Sequence, residues 1–222
     1  VIAADLPGHG ETDDIPQDRH SVENYAGALE SLLKALGVSD VQLYGRNGGA
    51  SVVAELAWCG GLKIKSAMLE GPMALSDHER QAFAPRWALP AALSWDGHHI
   101  TSIWHQVRDQ QLYFPWFEKT LATTRFIDPN VDPQSLHDQV VELIKRPQSY
   151  KPAWDALFAY PLRERLAAIS APVWVGAREF DVFASCLPAA ARLTRTEPVA
   201  LANPPETVAA EIGVFIAMFN AQ

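Results

Sequence analysis

The sequence predicts an α/β protein: a mostly parallel sheet with flanking helices and an inserted helical cap. Three observations carry this. Over residues 1–75 short apolar runs alternate with helical stretches, the order that builds a parallel sheet covered by helices. From about 76 to 168 the strand-like runs stop, and helical stretches alternate with proline-containing loops. After Pro172 the first pattern returns. The expected organisation is a core of residues 1–75 and 169–222 and a cap or lid of residues 76–168.

Each element has a local reason. "VIAADLPGHGETD" opens on an apolar run, which predicts a strand over 1–4. Asp5, Pro7, Gly8 and Gly10 then mark a loop over 5–20. Ser21 can cap the next helix, with Glu23 in its first turn. Val22, Tyr25, Ala26, Leu29, Leu32, Leu33 and Leu36 fall at helical spacing, and Gly37 ends the run. "VQLYG" (41–45) reads as a strand, 48–59 as a helix and "SAMLEG" (66–71) as a further strand. Their short apolar character suits strands covered on both faces. Five of the seven tryptophans, Trp87, Trp95, Trp104, Trp116 and Trp154, lie in the expected cap. "VWVGA" (173–177) is a predicted strand, "SCLPAAARL" a helix broken at Pro188, and "EPVAL" (197–201) a short strand. "PPETVAAEIGVFIAMFNA" reads as a last helix, with Pro205 near its first turn and Val208, Ile212, Phe215 and Ile216 on one side.

Composition sets outer limits. The 222 residues are 48% hydrophobic and 20% charged, enough for one sizeable core. A net charge of −8 argues against nucleic acid or an anionic membrane as partner. Cys59 and Cys186 are far apart and outside metal-type spacing, so a reduced, cytoplasmic protein is expected. No apolar run reaches membrane-spanning length, and no signal peptide is visible. The chain opens on Val1, directly in a strand-like run.

The chemistry centres on Gly45-Arg46-Asn47-Gly48-Gly49. A strand turning through G-x-x-x-G into a helix lets the backbone pass close to its neighbours and holds up the central side chain above the sheet. The N–H of Gly48 then points into an oxyanion site at a helix N-terminus.

Here the chain resembles the α/β-hydrolase superfamily. "DLPGHGETD" looks like that family's loop after its fourth strand, "LYGRNGGA" like its nucleophile elbow and "LEGP" like the following strand. "APVWVGAREFD" looks like the strand that delivers the acid, which puts Asp181 at the acid position, and "NPPETVAAEIGVFI" looks like the last helix. The departures are specific. Asn47 stands where the family carries Ser, or Asp in its dehalogenase and epoxide-hydrolase branches. The loop "EPVALANPPE", where the base histidine normally lies, has none, and the last histidine is His137. The family's first three strands have no counterpart, so the N-terminal strands are expected to be missing.

Three readings of Asn47 stay open. Asn tolerates positive φ and can simply fill a strained turn. It can bind or orient substrate. It can also stand in for a nucleophilic Asp, including by deamidation of the Asn-Gly pair. Asp181 is equally a catalytic acid or a cap of the helix that follows, with Arg178 and Glu179 beside it expected in solvent. His9 is expected to serve loop structure.

In the cap, "WDGHHITSIWHQVRDQQLYFPWF" places His98, His105 and Asp109 at helical spacings. The spacing matches no metal motif, and no metal or cofactor is expected. Trp104, His105, Arg108 and Trp116, with Tyr113 and Phe114, are candidates to line an apolar pocket; ordinary packing is the competing reading. Arg46 is a further substrate-binding candidate.

What the resemblance implies is hydrolysis of a small apolar ester-, lactone- or halide-type molecule. Asn47, Asp181 and the Gly48 N–H would form the reacting group, with a cap histidine as a candidate base. A catalytically inactive small-molecule-binding relative and a non-hydrolytic lyase or cyclase are the alternatives. A homodimer is a further state to test.

Overall fold

A computed structural model describes residues 1–89 and 93–201, together with Ala217 and Phe219. Its sheet contains β1 (Asp40–Arg46), β2 (Lys63–Glu70), β3 (Val173–Arg178) and β4 (Val199–Leu201). They lie in the order β1-β2-β3-β4 and every neighbouring pair is parallel. The strands expected at 41–45, 66–71, 173–177 and 197–201 are all present, with ends displaced by a few residues.

The chain divides into two compact units, Val1–Leu29 with Leu75–Tyr160, and Glu30–Ala74 with Pro161–Gln222. The second holds the sheet. β2 is buried from Ser66 to Glu70, and β3 is buried at Val173 and from Val175 to Arg178. Their apolar runs therefore face covered surroundings on both sides, as a parallel sheet requires. Between β1 and β2 runs α2 (Gly48–Cys59), in which every residue from Ala50 to Ala57 is buried. A helix whose residues are mostly apolar around its circumference belongs in an interior. Gly60, at φ 72°, ends it in the left-handed conformation that favours glycine. Against α2 packs α7 (Leu162–Ala168). There Arg165 reaches Glu55 at 3.0 Å and lies 3.8 Å over the Trp58 ring.

The other unit is helical. It contains α3 (Asp77–Trp87), α4 (His98–Leu112), α5 (Pro133–Lys145) and α6 (Pro147–Ala159), which fall between β2 and β3 in the chain. α3 starts at a capping box formed by Ser76 and Glu79. Ile103, Val107, Leu136 and Val140 form a buried cluster with Trp104, Leu143 and Ile144 packed on it. A second cluster surrounds Trp87, whose ring meets Phe83, Phe114, Phe117, Trp154 and Phe158. α1 (Val22–Ala35) begins as the spacing predicts, and Gly37 at φ 72° follows its end.

Two local expectations fail. Residues 1–4 form no strand: Val1 is 89% and Ile2 52% exposed, and neither joins a ladder. Apolar residues alone do not make a strand whose backbone groups find no partner strand. Pro188 does not break its helix. It lies in the first turn of α8 (Leu187–Thr194), where its missing N–H removes no intrahelical bond. The last helix, expected over 204–221, lies outside the described residues except at Ala217 and Phe219, which are helical.

Candidate active site at the carboxyl ends of the strands

Because β1, β2 and β3 run in the same direction, the loops leaving their carboxyl ends converge. That edge is where open parallel sheets bind ligands. Asn47 follows β1, Gly71 follows β2 and Asp181 follows β3.

Asn47 is held at φ 47° and ψ −111°, one of two non-glycine residues with positive φ among those described. Its backbone N–H donates to the Glu70 carbonyl at 2.8 Å, which ties the tip of the turn to the end of β2. The glycines make the bend fit. A Cβ on Gly45 would stand 2.6 Å from the Gly49 carbonyl carbon and 2.8 Å from a Val53 methyl. Strand and helix can approach this closely only without a side chain at 45.

The Asn47 side-chain amide donates to Asp181 Oδ1 at 3.2 Å, to Asp181 Oδ2 at 3.1 Å and to the Gly71 carbonyl at 3.3 Å. Its two protons are shared among three acceptors. The Asp181 side chain is 1% exposed, and its Oδ1 also accepts from the Phe183 N–H at 2.7 Å. Gly71, at φ 53°, leaves room for this pair: a Cβ there would meet Asn47 Nδ2 at 2.5 Å and both Asp181 oxygens at 2.6 Å.

Beneath the pair lies a charged group that sequence reasoning missed. Glu70 is fully buried, and Arg178 binds it through Nε at 2.6 Å and Nη2 at 3.4 Å. The Tyr44 hydroxyl donates to Glu70 at 2.7 Å. Arg46 stands 3.3 Å from Glu70 and 4.0 Å from Asp181, with half of its side chain exposed. Two carboxylates and two guanidinium groups thus balance at one end of the sheet. The expectation that Arg178 is solvated is corrected: it is 6% exposed, because β3 carries it beside Glu70. Glu179 is exposed, as expected. The signal for Glu70 was a carboxylate ending the apolar run "SAMLE", which a buried strand keeps only with a cationic partner.

The geometry limits the chemistry. In a Ser-His-Asp triad the imidazole lies between nucleophile and acid. It needs a hydrogen bond of roughly 2.7–3.2 Å on each side, plus its own width. Asn47 and Asp181 are in direct contact, so no ring fits between them in this arrangement. A side-chain amide remains neutral and is a poor nucleophile. Gly48 opens α2, and backbone donors in the first turn of a helix lack intrahelical acceptors.

The remaining candidates lie in the helical unit. Trp104 packs on the cluster around Ile103 and His105 is exposed. Arg108 donates to Asp109 at 2.9 and 2.7 Å. Trp116 is 7% exposed and donates its indole N–H to the Trp87 carbonyl at 2.8 Å. Asp109 is buried, which opposes its charge. Hydrogen bonds from Lys119 and Arg108 outweigh that and hold its pKa below the usual carboxylate value. His98 is exposed. His9 donates from Nδ1 to the Pro7 carbonyl, 3.1 Å away, and its backbone N–H donates to the Thr12 hydroxyl. Cys59 is exposed and Cys186 buried.

No family model matches the chain, and no curated protein sequence matches it. Solved structures do. A hydrolase from Pseudomonas aeruginosa PA01 superposes over 98% of this chain and 76% of its own, at TM-score 0.65 and 19% identity. Est816, described as an N-acyl homoserine lactone degrading enzyme, covers 97% and 80%, at TM-score 0.64 and 16% identity. The enol-lactonase from Burkholderia xenovorans LB400 covers 98% and 79%, at TM-score 0.67 and 16% identity. Among the described residues no helix is long and apolar enough to cross a membrane.

Proposed function

From the α/β-hydrolase fold that this chain has, we propose that the protein takes a small ester- or lactone-type molecule at its elbow and hydrolyses it slowly, without a covalent acyl-enzyme. The observation that carries this reading is the contact between Asn47 and Asp181. It keeps the elbow and the acid together while replacing the nucleophile–histidine relay by an amide clamp. In this reading the Gly48 N–H receives the carbonyl oxygen of the substrate. Asp181 accepts the proton of an attacking water once the Asn47 amide turns aside, and Arg46 meets a polar end of the substrate. Trp104, His105, Arg108 and Trp116, in the helical cap, are proposed to bind substrate. Residues 76–168 are proposed to act as that cap.

Losing a covalent nucleophile removes a large part of the rate. Turnover should therefore be slow, and no adduct should accumulate. One observation favours a second reading, binding without turnover: Asp181 is almost completely covered and already engaged by Asn47 and the Phe183 N–H.

The test is hydrolysis of short-chain aryl esters and γ-lactones in 18O-labelled water, with intact-protein mass spectrometry. Label entering the product acid, no covalent adduct, and loss of turnover in Asp181→Ala support hydrolysis. Ligand-induced stabilisation without product supports binding alone. A covalent adduct at residue 47 refutes both.

A further inference from the structure

We infer that the fold makes Asn47 a self-modification site, at which the Gly48 nitrogen closes a succinimide ring and converts the amide to a carboxyl group. The observation is the backbone torsion. Around the Cα–C bond of an L-residue, Cβ lies about 120° from the residue's own nitrogen. A ψ of about −120° therefore eclipses Cβ with the next nitrogen, which is the torsion a five-membered ring through Cβ, Cγ and that nitrogen demands. Helical and extended residues have ψ values far from it. Asn47 has ψ −111°. The elbow holds it there through the Glu70 carbonyl and the close packing of Gly45 on Gly49. Gly48 offers the least hindered attacking nitrogen, at a helix position whose N–H has no intrahelical acceptor. Both residues are partly exposed, so water reaches them. Asn47-Gly48 is also the chain's one Asn-Gly pair; Asn24, Asn130, Asn203 and Asn220 precede Tyr, Val, Pro and Ala.

The atoms balance without a co-reactant other than water. The Gly48 nitrogen gives its proton to solvent base and bonds to Asn47 Cγ. Nδ2 takes up a proton and leaves as ammonia. Water then opens the imide: cleavage of the Cγ–N bond leaves an aspartyl residue at position 47, and cleavage at the main-chain carbonyl gives the isoaspartyl isomer. The aspartyl product sets a second carboxyl group against Asp181 in place of the amide nitrogen that now stands 3.1 Å away. This inference stands on backbone geometry and does not depend on whether the chain turns over an ester.

The experiment follows the purified full chain in mildly alkaline buffer, native and urea-unfolded side by side, by peptide mapping with mass spectrometry. An isoaspartyl-specific methyltransferase serves as the second readout. Unfolding releases the torsion, so conversion at Asn47 should be about tenfold faster in the native chain, the factor corresponding to a sparsely populated backbone state held ready. The Asn47→Gln variant, whose ring would be six-membered, should show no conversion in the same window. A native rate equal to or below the unfolded one overturns the inference, as does native conversion at any other asparagine ahead of Asn47.

Discussion

The Asn47 amide and the Asp181 carboxylate share a two-point contact, 3.2 and 3.1 Å, across 134 residues of sequence. The amide nitrogen donates and both carboxylate oxygens accept, so the pair is matched only while residue 47 is neutral. Replacing Asn47 by Asp sets two carboxylates in contact, and one must hold a proton. The pair's folded-state pKa is then raised above the unfolded value. Its stability contribution is present at low pH and lost as pH rises through the raised folded value. Asn47→Asp should therefore match the parent near pH 4 and fall below it at neutral pH. Urea denaturation at both pH values checks this, and equal losses at both contradict it.

Gly71 carries a second constraint on the same pair. At φ 53°, with a Cβ destined to meet Asn47 Nδ2 at 2.5 Å and Asp181 at 2.6 Å, alanine there is strained twice. Gly71→Ala should destabilise by about 1–3 kcal/mol. Combining it with Asn47→Ala removes one clash, so the double variant should lose less than the sum of the two. Strict additivity in denaturation midpoints would show that the two sites do not touch.

How far the sequence disclosed this centre depends on distance along the chain. The elbow was legible because its signals are local: an apolar run, glycines at 45 and 49, and an apolar helix whose observed bounds, Gly48–Cys59, coincide with the expected 48–59. Arg178 was misjudged because its partner Glu70 is 108 residues away. Only the register of β2 against β3, which pairs Glu70 with Gly176, brings them together, and no local pattern encodes it. Residues 1–4 failed for a related reason: strand formation depends on a partner strand that an apolar run does not specify. The direct contact of Asn47 with Asp181 was unreadable too, since a loop without histidine says nothing of what the Asn47 side chain touches.

The Glu70–Arg178 pair gives a third expectation. Both side chains are buried, at 0% and 7% exposure, so removing Arg178 leaves the Glu70 charge to the half-exposed Arg46 and the Tyr44 hydroxyl. Arg178→Met should cost about 3–5 kcal/mol. Adding Glu70→Gln removes the under-compensated charge while keeping an acceptor for Tyr44, and should restore a substantial part of that loss. A double variant no more stable than Arg178→Met would mean that the pair's charge is not what holds β2 to β3.

His20 gives the pH dependence of the helical unit. It is 9% exposed, and its Nδ1 lies 2.6 Å from the Tyr25 hydroxyl. Burial lowers its pKa below 6.5; repulsion from His9 adds to the shift and Asp14 opposes it. Burial also pushes Tyr25 up to about 12, so its hydroxyl remains protonated through this range. Between the lowered folded pKa and 6.5 the unfolded chain binds a proton at His20 that the folded chain does not. Unfolding free energy must then rise with pH across that window. The contribution is complete above pH 6.5 and falls away as pH drops toward the folded value. His20→Gln removes the titration while keeping a polar partner for Tyr25. Its stability should change less than the parent's between about pH 5 and 7. Parallel profiles for parent and variant across that interval would assign the acid sensitivity to other groups.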